Sequence, residues 1–133
     1  LNQVDVSDSG GAKGALVSQL SREIVQLHVR LYGRGPTKAR SYLQSDYAVC
    51  ILEEIFTTAE RTLIAAGSSE HVHETRRKFQ DAVAAEFIEI VERVTGRTVR
   101  TFLSQVDVGS NMSLEFFVFT AEDSTAEAGT GEA

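Results

Sequence analysis

Tyr47-Ala48-Val49-Cys50-Ile51-Leu52-Glu53-Glu54-Ile55-Phe56 is the stretch on which the fold turns. Its β-branched and aromatic content and the Ser45-Asp46 turn signal before it predict a strand. Successive strand residues point to opposite sides, so Tyr47, Val49, Ile51 and Ile55 share one face and Ala48, Cys50, Leu52 and Phe56 the other. Both faces are apolar. Such a strand needs cover on both sides, unlike the usual antiparallel strand with one wet face.

A second doubly apolar strand lies near the end, at Met112–Thr120. It carries Leu114, Phe116 and Val118 on one side and Phe117 and Phe119 on the other. Arg97–Val108 alternates before it, and Gly109-Ser110-Asn111 is a turn, so the pair reads as a hairpin. Arg40–Gln44 is a short strand preceding the first stretch. Helical spacing marks the rest. Leu16, Leu20, Ile24, Leu27 and Leu31 define a helix over Gly14–Tyr32, stopped by Gly33 and Pro36. Thr57 followed by Glu60 is a capping box opening a short helix that ends at Gly67. Val72, Phe79, Val83, Phe87, Ile90 and Val94 predict one long helix from Ser68–Ser69 to Thr95, ended by Gly96.

The order α-β-β-α-α-β-β predicts an α+β fold: a four-stranded, mostly antiparallel sheet with two long helices on one face. That leaves the other face short of cover. A second copy of the chain or a protein partner is expected there, with Leu114, Phe116, Phe117, Val118 and Phe119 as interface residues and a homodimer as the simplest closure.

The chain has 133 residues, 42% of them hydrophobic and 24% charged, which fits one domain. Residues 1–13 read as a flexible arm, 14–121 as a single domain and 122–133 as an acidic disordered tail. One cysteine excludes an intrachain disulfide framework. No apolar run is long enough to span a bilayer, and a cytoplasmic protein, or one peripheral to a membrane, is expected. The net charge is −6, but the tail contributes −4 through Glu122, Asp123, Glu127 and Glu132, leaving 16–121 near neutral. Nucleic acid is not an expected partner.

Candidate chemistry is sparse. His71 and His73, two apart on a helix, point to nearly opposite sides and cannot share an ion; neither metal nor cofactor is expected. Cys50, mid-strand among apolar neighbours, reads as a small buried hydrophobe. Glu53, Glu54 and Glu60 do not form an acid–base pair, because Glu60 caps a helix and the other two alternate faces. No catalytic residue is assigned and no enzyme is expected. Arg34, Lys38 and Arg40 follow or flank Gly33-Arg34-Gly35-Pro36 without an intervening acid, and Arg76-Arg77-Lys78 is a second basic run. Arg34, Gly35, Lys38, Arg40, Arg76 and Arg77 are therefore candidate anion-binding residues. Arg76 continues an apolar stripe, so it is either half-buried and paired, with a strand carboxylate as the candidate partner, or faces a ligand.

The ordered set of these features resembles the MpsC-type domain family. It comprises Tyr32-Gly33-Arg34-Gly35-Pro36, the Tyr47–Leu52 strand, Thr57-Thr58-Ala59-Glu60 with Leu63 and Gly67, Arg76-Arg77, Thr95-Gly96-Arg97-Thr98-Val99 and Phe117-Val118-Phe119. Ala59 stands where many relatives have proline. The resemblance covers about Ser18 to Glu122. The family is named for a sodium-translocating, membrane-potential-generating system and is also discussed in connection with bicarbonate supply. It brings no catalytic residues. It implies a non-enzymatic accessory or regulatory domain acting through protein–protein association, with a protein partner at a membrane ion-transport system. A small-ligand or anion sensor built on the basic loop is the alternative.

Overall fold

The computed structural model describes Asp5–Val6 and residues 11–121. In chain order the elements are β1 (Asp5–Val6), α1 (Gly11–Tyr32), β2 (Lys38–Leu43), β3 (Tyr47–Glu53), α2 (Thr58–Ala65), α3 (Ser69–Ala82), α4 (Ala84–Thr95), β4 (Val99–Asp107) and β5 (Met112–Phe119). The sheet order is β1-β2-β3-β5-β4. The four long strands are antiparallel as expected, and the two-residue β1 adds in parallel to β2 at Lys38 and Ala39. Of the expected flexible arm, Asp5–Val6 is thus paired and 11–13 belong to α1; the remainder, like the expected acidic tail, lies outside the described residues.

Two expected boundaries change. The strand from Tyr47 ends at Glu53, because Glu54 takes φ +57 and turns the chain. Ile55 and Phe56 then drop into the core instead of alternating. Asn111 of the β4–β5 turn holds this corner. Its Oδ1 accepts from the backbone N–H groups of Ile55 (2.8 Å) and Phe56 (3.0 Å).

The expected long helix to Thr95 is two helices. The chain breaks at β-branched Val83, whose φ −113 and ψ 16 lie outside the helical basin. The apolar stripe runs straight through the break, so side-chain periodicity carries no mark of it. Both α3 and α4 lie against β4, and α4 also packs on α1. Arg93 of α4 bonds Glu23 of α1 at 2.6 Å, and Arg30 of α1 bonds Glu86 of α4 at 2.8 Å. The core fills the space between these helices and one sheet face, with Leu20, Ile24, Leu52, Phe56, Phe87, Val91 and Phe117 at its centre. Leu16, Leu31 and Phe102 pack at its margin.

Candidate functional site

The sheet has two faces of opposite character. The strand registers place Ala39, Ser41, Ala48, Cys50, Leu52, Ser113, Glu115, Phe117, Ser104 and Val106 on the side that the helices cover. On the other side the same registers give rows running across the sheet. Tyr42, Val49, Phe116 and Leu103 form one row, and Arg40, Ile51, Leu114 and Gln105 the next. Tyr47, Val118 and Thr101 lie beyond the first; Lys38, Glu53, Met112 and Asp107 beyond the second. No described element packs over this face. Leu103 is 57% exposed, Tyr42 45% and Leu114 40%. The Tyr47 and Phe116 rings stack across neighbouring strands, centroids 5.3 Å apart. The result is an apolar centre with charged or polar residues at its ends.

Of the expected interface residues, Leu114, Phe116 and Val118 stand on this open face. Phe117 and Phe119 do not: they point to the helix side and are buried in the core, so their place in the interface is corrected. Alternation alone separates the two sets. Tyr42, Tyr47, Val49, Ile51 and Leu103 complete the apolar patch.

The helix-covered face carries a polar row through its core. Ser21 of α1 bonds Ser41 at 2.6 Å, and Ser41 donates to the Cys50 thiol at 3.1 Å. Cys50 pairs in register with Glu115, and Glu115 with Ser104. Glu115 is completely buried and accepts from Ser104 Oγ (2.6 Å) and Ser113 Oγ (3.1 Å). Burial raises its pKa to about 7, and the two hydroxyls and the Arg76 charge only partly offset that. Burial likewise pushes the Cys50 thiol up to about 12, so this cysteine is no thiolate nucleophile.

Arg76 is also fully buried, and the structure resolves its role: it is paired. Its Nε and Nη2 donate to the two oxygens of Glu60, each at 2.7 Å, and Nη2 also donates to the Ile55 carbonyl at 2.9 Å. The guanidinium lies 3.7 Å from the Tyr32 ring centroid. The partner carboxylate comes from α2, where Glu60 closes the expected capping box with Thr57. Burial pushes the Glu60 carboxyl up, but the Arg76 and Thr57 hydrogen bonds outweigh it and hold its pKa below the ordinary value. His28, beside Tyr32 and Phe87, is buried as well. Desolvation lowers its pKa to about 4, against the hydrogen bond to the Ile24 carbonyl.

The six candidate anion residues are dispersed. Arg34 donates to the Phe56 carbonyl and ties the loop to the β3–α2 corner. Gly35 presses on α1: a Cβ there would meet Val29 at 2.9 Å and Val25 at 3.3 Å, so glycine is required for packing. Lys38 and Arg40 lie at one edge of the open sheet face, and Arg40 bonds Glu53 at 3.3 Å. Arg76 is sealed inside. Arg77 is exposed and lines a groove between α3 and β4 with His73, Asp81 and Gln105. β2 and β4 are opposite edges of the antiparallel sheet, so these cations share no concavity. Among the described residues no three His, Cys, Asp or Glu side chains gather as metal ligands, and no helix is long and apolar enough to cross a membrane.

An antiparallel sheet roofed by helices on one side and open and apolar on the other defines a small α+β domain. The chain belongs to the MpsC family, "Na+-translocating membrane potential-generating system", whose model matches residues 12–121. It is similar to the uncharacterized protein YbcI of Bacillus subtilis (strain 168), at 26% identity over 111 residues, covering 81% of this chain and 86% of that protein. No solved structure matches it significantly.

Proposed function

We propose that this chain is a non-enzymatic accessory or regulatory domain that acts through protein–protein association, serving a membrane ion-transport system linked to sodium or bicarbonate. The family name supports the membrane context. A cytoplasmic place, peripheral to the membrane, suits a domain that meets such a system through another protein. The uncovered apolar sheet face carries the reading. Water on that face is costly, and an apolar patch of this kind marks an association site.

The first occupant is a second copy of the chain, forming a homodimer. With strands about 4.8 Å apart and a two-residue repeat of about 6.8 Å, the rows have a footprint of roughly 500 Å², or about 1,000 Å² for two copies. That reaches the size at which specific interfaces begin, about 1,000 Å². Sedimentation velocity across a dilution series tests it. A dimer is expected, and Leu114→Lys, which puts a charge at the centre of the face, should raise its dissociation constant roughly 100-fold. A wild-type chain that stays monomeric at high concentration overturns the reading.

A further inference from the structure

The groove between α3 and β4 runs along an open sheet edge. β4 pairs with β5 on one side and, among the described residues, with no strand on the other. At its start the edge is closed, because the Val99 N–H donates to the Glu92 carboxylate of α4 at 2.9 Å. Further along it opens. Gln105, Val106, Asp107 and Val108 all line the groove, although consecutive strand residues point to opposite faces. A space touched by all four lies at the margin of the strand, where alternate N–H and C=O groups point away from β5.

α3 forms the opposite wall from Ser69 to Asp81, about 18 Å at 1.5 Å per residue. An extended chain of about six residues covers that length. The charges in the groove do not balance. Glu70, Glu74, Asp81 and Asp107 line it against Arg77 and Lys78, so carboxylates are in surplus, with His73 counted neutral. Lys78 already meets Glu74 at 3.9 Å. The narrower end of the groove is polar as well. Gln80, 4% exposed, lines it beside Ser104, and its Nε2 donates to nothing. A half-turn of that terminal amide exchanges its two ends, so it offers a donor or an acceptor to a main chain lying in the groove.

We propose that this groove is a strand-addition site for an extended basic segment of a membrane-protein partner. The inference rests on the reading of this chain as an association domain at a membrane system. Membrane proteins carry an excess of Lys and Arg in their cytoplasmic loops, so such segments have the required charge. The segment adds to β4 through main-chain hydrogen bonds, which supply affinity whatever its sequence. Its alternate side chains face α3, where the surplus carboxylates select cations and reject acidic chains. The wall is α3, on the covered side of the sheet, so occupancy of the groove does not require the open face.

The test titrates three octapeptides into the isotope-labelled full chain: one alternating lysine and threonine, its glutamate–threonine counterpart, and the lysine version with proline at both central positions. The lysine peptide is expected to bind and to protect β4 amides between residues 102 and 107 from exchange. The other two should bind at least about tenfold more weakly, the glutamate peptide through charge and the proline peptide through a lost ladder bond. The same loss is expected for the lysine peptide with the Glu74→Lys, Asp81→Lys variant, both changes being exposed on α3 and its folding checked by circular dichroism. A proline peptide that binds equally well, protection confined to other strands, or no binding at millimolar peptide overturns strand addition. Phosphatidylcholine vesicles displaying the lysine peptide on an acyl anchor should sediment the chain, and bare vesicles should not; free peptide that binds while the anchored one fails overturns the membrane source. Repeating the titration with Leu114→Lys separates the two surfaces. A monomer that keeps its peptide affinity supports the groove even if the homodimer fails, and a dimer without β4 protection overturns the groove alone.

Discussion

The two sides of this sheet invert the usual rule. The covered side holds the Glu115 carboxylate with the Ser41, Ser104 and Ser113 hydroxyls and the Cys50 thiol around it, and the core also seals Arg76 in its pair with Glu60; the bare side is aromatic and aliphatic at its centre. Consecutive residues show it: Leu114 is exposed, Glu115 is sealed, Phe116 is on the open face and Phe117 is in the core. The inner side tolerates its polar groups because nearly all find partners, at the cost of making each partner indispensable. The outer side has no described element over it, so its residues place few demands on the protomer's own packing.

The sharpest way to break the inner side is at Arg76. Arg76→Ala leaves the Glu60 carboxylate uncompensated and should cost about 3–5 kcal/mol in chemical denaturation, whereas the double change Arg76→Met with Glu60→Gln should cost much less. Equal losses in both would mean that packing, not charge, sets the value of the pair.

Next in size is the pH response. His28 has its folded pKa lowered from 6.5 to about 4, so the unfolded chain binds the extra proton and stability rises as pH climbs through that window. Glu115 has its folded pKa raised from 4.5 to about 7, so the folded chain binds the extra proton and stability falls as pH climbs from 4.5 to 7. Each is worth roughly 3 kcal/mol over its window and the two oppose. Glu115→Gln should therefore unmask a rise in stability from pH 4 to 6.5, and His28→Gln a fall from pH 4.5 to 7. Urea midpoints at fixed protein concentration read both slopes.

The outer side responds differently. Leu114→Lys should leave the stability of the dilute monomer within about 0.5 kcal/mol of wild type, since exposed substitutions rarely exceed that. A large loss would show that Leu114 supports the protomer's own fold and would erase the contrast between the faces. The cap lies between these: Thr57→Ala should cost about 1 kcal/mol, because the Glu60 N–H loses its acceptor while Glu60 keeps Arg76.

Much of this was legible in the residues. The strand pair, the capping box, the helix stops at Gly33 and Gly96 and the uncovered face all follow from periodicity and turn chemistry. Glu115 was not, because one charge between Leu114 and Phe116 looks like the wet side of a strand; only the Ser104 hydroxyl opposite it, known from register, and the Ser113 hydroxyl two residues before it reveal a site that can take it. The break at Val83 was hidden because Val72, Phe79, Val83 and Phe87 keep helical spacing through it. Arg76 stands out in the sequence, but it is fully buried, not half-buried, and its partner Glu60 is the capping carboxylate of a helix, not a strand residue. The basic residues looked like one site because they are near in sequence, and Gly35 belongs to packing because its neighbour is an α1 valine.

The interruption at Val83 divides the roof into two panels with separate fastenings. α4 is bolted to α1 by Arg93–Glu23 and Arg30–Glu86. α3 is tied to α2 through the Arg76 guanidinium, to α1 through the Tyr32–Phe79 ring contact and to the sheet at β4. Amide exchange should therefore be slower in α4 than in α3, and loss of the Arg76 tether should widen that difference.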